Sequence, residues 1–144
     1  MNESGGNGHA AGLIRRFEDL VAWQLAREVA QKIFSLTRDG SMSHDFALVD
    51  QMRRSAVSIM SNLAEGFERE TQADRLRFYL IAKGLCAELR AQLDVALDAG
   101  YLTQTAFAAL QAKAERVARI IGGLRSSIRR SPRVAQPSRS LGHV

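Results

Sequence analysis

Residues 103–128 read TQTAFAALQAKAERVARIIGGLRSSI. Phe107, Leu110, Ala114, Val117, Ile121, Leu124 and Ile128 recur along it at spacings of three and four, averaging about 3.5 residues. That period is the seam of a helix packed against other helices in a bundle. Thr103 supplies a cap for its start. Gly122 and Gly123 each cost about 1 kcal/mol in a helix interior relative to alanine, so they either admit a close backbone approach or fray the end.

Three further segments with helical period lie before it. Thr71 can cap a helix reaching about Asp98, with a stripe of Phe78, Ala82, Leu85, Leu89, Leu93 and Ala96. Gly100 suits a left-handed stop after it. Upstream, Ser43 or Asp45 can cap a helix whose seam is Val49, Met52, Ala56, Ile59 and Leu63. Val57, Met60 and Ala64 widen that seam, and so wide an apolar arc predicts more than one neighbour. Gly66 marks a weak point in it. The earliest segment runs from about Asp19 to Arg38 on Ala22, Trp23, Ala26, Val29, Ala30, Ile33, Phe34 and Leu36, and Asp39-Gly40 stops it. Four amphipathic helices joined by short connections predict an all-α, antiparallel up-down-up-down four-helix bundle.

The ends are different in kind. Residues 1–16 read as a flexible Gly-rich arm, residues 17–130 as the bundle, and residues 131–144 as a disordered basic tail. With 144 residues, 46% of them hydrophobic, the chain is long enough for a real core. A single cysteine, Cys86, excludes an internal disulfide and fits a reducing, cytoplasmic setting. No apolar run approaches the roughly 20 residues of a membrane span. The formal net charge of +5 resides at the ends: residues 17–128 sum to zero, while Arg129, Arg130, Arg133 and Arg139 stand without a nearby acid. A globally cationic DNA-binding body is thereby disfavoured, and a local patch is left open.

Sites for chemistry are scarce. His9, His44 and His143 fall in the arm, a loop and the tail, with no Glu-x-x-His pair on a helix and no CxxC motif. Ser55, Ser58 and Ser61 have no helical histidine to act as their base, and Cys86 beside an apolar stripe reads as a packed thiol. No cofactor, metal or small-molecule substrate is expected. Gln51, Asn62, Glu65, Glu88 and Gln92 sit at or near seams, where a buried polar group needs a partner. They are expected to form a structural polar network within the bundle or across a subunit contact. Arg53, Arg54 and Arg69, with Arg129, Arg130 and Arg133, are the candidate nucleic-acid contacts, against the plainer reading of a neutral solvated face.

Three blocks carry a family resemblance: FEDLVAWQLA at 17–26, QMRRSAVSI at 51–59 followed by NLAEGF at 62–67, and FYLIAKG at 78–84 with Glu88-Leu89 and the Ala99-Gly100-Tyr101-Leu102 turn. In this order they resemble the bacterial four-helix bundle proteins associated with intervening sequences of 23S ribosomal RNA genes. Accessory variability proteins of diversity-generating retroelements are more distantly similar. The resemblance implies a cytoplasmic bundle closing into a ring, typically a homopentamer, with no enzymatic activity and a suspected nucleic-acid role. Leu85 and Arg90 depart from it, standing where a small polar residue and an acid are usual. The expectation is a non-enzymatic oligomeric scaffold whose partners are itself and RNA or DNA; a bundle with no nucleic-acid ligand is the alternative.

Overall fold

The computed structural model describes residues 13–131. The expected arm up to residue 12, and the expected tail beyond Ser131 with Arg133 and Arg139, lie outside them. Four helices account for most of the described chain: α1 Val21–Arg38, α2 Phe46–Glu68, α3 Gln72–Asp98 and α4 Gln104–Arg130. Short 3-10 turns occupy Phe17–Asp19 and Ser41–His44, and no strand occurs among the described residues. The fold is all-α, as the periodicity predicts.

Side chains mark the helix starts. The Asp45 carboxylate accepts from the Leu48 amide at 3.2 Å, so Asp45, rather than Ser43, caps α2. Thr71 and Thr103 do the same for α3 and α4, accepting from Asp74 N and Ala106 N at 3.1 Å each. At the end of α3, Gly100 takes φ 78°. There Tyr101 N donates to Ala96 O and Gly100 N to Leu97 O, both at 2.9 Å. That paired motif satisfies carbonyls the helix would otherwise leave open, and only glycine takes the left-handed step without a steric cost.

Packing runs around the four helices, each touching two others; the α2–α3 contact is the densest and the α1–α4 contact the thinnest. Every predicted seam residue of α2 is buried: Val49, Met52, Ala56, Ile59 and Leu63. They meet Ile33 and Val29 of α1, Leu89 and Leu93 of α3, and Val117 and Ile121 of α4 in one cluster. At roughly 1.5–3 kcal/mol for each large apolar side chain taken out of water, this cluster is the main source of stability.

Two details of the α2–α3 contact were not legible in the periodicity. The helix continues through Gly66 to Glu68, and a Cβ at Gly66 would lie 2.7 Å from Cε1 of Tyr79 and 3.0 Å from Cβ of Phe78. Glycine is therefore a packing requirement there. Cys86, read as lying beside the stripe, is fully buried with Leu89 and Ala82. At the far end of the pair, the Tyr101 hydroxyl donates to Oδ2 of Asp45 at 2.9 Å, tying the start of α2 to the turn after α3.

Burial pushes the Cys86 thiol up to about 12 from an ordinary 9.0, with Arg90 acting weakly the other way. The folded chain thus holds this proton more tightly than the unfolded chain, and each pH unit of that gap is worth about 1.4 kcal/mol. The contribution is complete below about pH 9 and is lost as pH rises toward about 12. Tyr79, raised by burial, and Tyr101, raised by its bond to Asp45, add to the same trend only above their ordinary 10.0. Urea midpoints measured from pH 8 to 10 should fall for the wild type and stay nearly flat for Cys86→Ala. An equal fall in both proteins would place the titrating group elsewhere.

Candidate nucleic-acid interface and apolar surfaces

The arginines singled out in the sequence separate into two groups. Arg53 is a packing residue. Its Nε donates at 2.8 Å to the hydroxyl of the buried Thr37, which itself donates to Ile33 O at 2.6 Å. Its guanidinium lies 4.7 Å from the centroid of the Phe34 ring. A charge-assisted hydrogen bond and a cation–π contact together stitch α2 to the last turns of α1. Arg54, one residue on, faces solvent and, among the described residues, pairs with Asp50 at 3.0 Å.

The second group gathers at one end of the molecule. Gln72 Nε2 donates to Ile128 O, and Arg125 Nε donates to Leu76 O at 3.2 Å, so the start of α3 lies beside the end of α4. Arg75 Nε donates to Arg69 O at 2.7 Å and brings in the end of α2. Arg69, Arg75, Arg77, Arg125, Arg129 and Arg130 consequently share this end. Acids are interleaved among them: Arg69 lies 3.8 Å from Glu65, and Arg77 lies 3.9 Å from Asp74. Arg69 and Arg77 also stack on the one Phe78 ring, at 4.5 and 4.8 Å. These exposed pairs are worth little in water, so the guanidinium groups can exchange them for phosphate oxygens at low cost. Arg125 completes the group, and its shared end became visible only through the α3–α4 register.

The five polar residues do not form one network within the chain. Gln51, Glu65 and Glu88 are exposed, because each sits about 100° or more around its helix from the buried seam. Asn62 is half-buried and donates to Ser58 O at 2.8 Å within its own helix. Only Gln92 is buried, at 9% exposure, and its Oε1 has no hydrogen-bond partner among the described residues. The connected polar contact lies instead on the α3–α4 side. Arg90 Nε donates to Oε1 of Gln111 and Nε2 of Gln111 returns to Arg90 O, both at 3.0 Å, while Glu115 approaches the guanidinium at 3.0 Å. Arg90 thereby clamps two helices.

Besides Leu13, Ile14 and Val21 near the start of the described residues, large apolar side chains remain in water on two sides. Phe34, Phe46 (77% exposed) and Val57 lie along the α1–α2 flank, with Met60 half-buried beside them. On the outward side of α3, Leu80, Ile81 and Val95 are exposed together with Gly84, Ala87 and Ala91. Phe17 and Trp23 are less wet than their size suggests: their rings meet edge to face at 5.2 Å, and both are half-buried. Among the described residues no group of three or more His, Cys, Asp or Glu could hold a metal ion, and no helix is long and apolar enough to cross a membrane.

A four-helix α-protein with apolar flanks and an arginine-rich end is thus defined by geometry. The chain belongs to the 23S rRNA-intervening sequence protein family, whose model matches residues 18–123. Its fold is shared with a protein of unknown function from the S23 ribosomal protein family of Bacteroides thetaiotaomicron. That match has a TM-score of 0.69 at 19% identity and covers 74% of this chain and 96% of the other. Comparison with curated proteins gave no match.

The division between Arg53 and Arg54 has a direct consequence. Arg53→Ala should cost about 1–3 kcal/mol, since it removes a charge-assisted bond and leaves the buried Thr37 hydroxyl without its donor. Arg54→Ala should stay within about 0.5 kcal/mol. Denaturant melts of the two variants check this, and equal losses would contradict the packing role.

Proposed function

We propose that this chain is a non-enzymatic scaffold of the bacterial cytoplasm, needing no cofactor, whose helices alternate up-down-up-down and whose copies close into a ring. The alternation is supported by end-to-end pairings: Gly66 with Tyr79 and Asp45 with Tyr101 across α2–α3, then Arg90 with Gln111 and Arg125 with Leu76 across α3–α4. The observation that carries the ring is the pair of exposed apolar strips on different sides of one chain. A strip that meets a different strip on the next copy makes a heterologous contact, and such contacts close into a ring when the rotation fits. Gly84, Ala87 and Ala91 let a neighbouring backbone approach α3 closely, while exposed Gln51, Glu65 and Glu88 suit a polar rim. The favoured number, five, comes from the family resemblance.

Nucleic acid is the proposed ligand of the arginine-rich end, favoured by Arg69, Arg75, Arg77, Arg125, Arg129 and Arg130 sharing it and by the family's association with 23S rRNA. A ring repeats that end in every copy, so weak electrostatic contacts gain avidity. Arg133, the remaining candidate contact, lies outside the described residues. A bundle that binds only protein is the competing reading.

Light scattering of the full chain should report one discrete mass above the monomer. Val57→Glu and Val95→Glu, one on each strip, should each release helical monomers. A concentration-independent wild-type monomer would remove the ring. For single-stranded RNA, each phosphate neutralised should contribute about −0.7 to the log–log salt slope. Arg129→Ala with Arg130→Ala should weaken binding and flatten that slope, whereas Arg54→Ala should leave both unchanged. Absence of binding at low salt by the assembled protein would leave the purely structural scaffold.

A further inference from the structure

Neither apolar strip uses the opposite flank of α1. There the thin contact with α4 leaves a cleft of about 230 Å³. The buried Leu110 and the half-buried Leu36 and Ala106 line it together with the exposed Ala109. Lys32, Ser35 and Lys113 stand on its rim, and the same three residues line an adjoining polar depression of about 340 Å³. Neither lysine has an ion-pair partner among the described residues. Glu28 is the only carboxylate lining the depression, so positive charge exceeds negative there.

We propose that this cleft binds a medium-chain fatty-acid carboxylate. Two ammonium groups and the Ser35 hydroxyl offer only donors or donor-capable groups to the head, which selects an anion. The lining is mainly apolar, which suits an alkyl chain. A volume of about 230 Å³ suits one short or medium alkyl chain rather than a bulkier body. A peptide helix is too wide for that volume, its diameter with side chains being about 10–12 Å. Nucleic acid has no use for the hydrocarbon lining.

Calorimetric titration of the full-length protein with hexanoate, octanoate and decanoate tests the assignment. Binding should be saturable and tighten about fourfold for each methylene added until the cleft is filled. The Lys32→Gln, Lys113→Gln double variant should bind about tenfold more weakly with unchanged helicity. Ala109→Leu, at an exposed position, should block the chain without changing the thermal melt. Decyltrimethylammonium, with the same tail and the opposite charge, should not compete. Non-saturable uptake, affinity indifferent to chain length, or full binding by the double variant would each overturn the proposal. Decanoate displaced by raising the protein concentration would also overturn it, since a second copy would then be the occupant. Loss of the ring with binding retained would separate this inference from the scaffold reading.

Discussion

The helix arrangement hangs on the absence of one methyl group. At Gly66 the backbone of α2 lies against the ring of Tyr79, closer than any Cβ could allow. Tyr79 is only 2% exposed and cannot swing aside. The two positions are thirteen apart in sequence, so this contact fixes how α3 leaves α2. The bond between Tyr101 and Asp45 then fixes the other end of the same pair. With both ends held, the seams of α2 and α3 face each other in register, and α1 and α4 complete the core against them.

That core leaves distinct surfaces for distinct tasks. The α1–α2 flank and the outward side of α3 keep large apolar groups in water, which for an isolated domain is an unfavourable arrangement. The end formed by α2, α3 and α4 gathers arginines whose exposed pairs with Glu65 and Asp74 are weak and exchangeable. Between α1 and α4 lies the cleft described above. The positive excess at the arginine-rich end comes from Arg129 and Arg130, which follow the charge-balanced stretch 17–128.

Much of this was legible in the sequence. The seam of α4, the threonine caps and the left-handed Gly100 all reflect local rules, and each stands in the structure as read. The site residues were less legible because their roles depend on neighbours distant in sequence. Arg53 reads like Arg54 until Thr37 and Phe34 are placed beside it. Gly66 reads as a helix weakness until Tyr79 arrives to occupy the space. Gln51, Glu65 and Glu88 lie one helical step from a seam, and such a step separates core from solvent. The role of Arg90 becomes intelligible only through Gln111 and Glu115.

The most direct measurement compares the denaturant stability of Gly66→Ala with that of Gly123→Ala. Both replace a helical glycine, and intrinsic propensity alone favours alanine by about 1 kcal/mol in each case. At Gly123 an added Cβ meets open space, so that variant should gain stability. At Gly66 the added carbon must displace the buried Tyr79 ring, and overpacking of this kind costs about 1–3 kcal/mol, reversing the sign. A Gly66→Ala protein as stable as the wild type, or more so, would contradict the account.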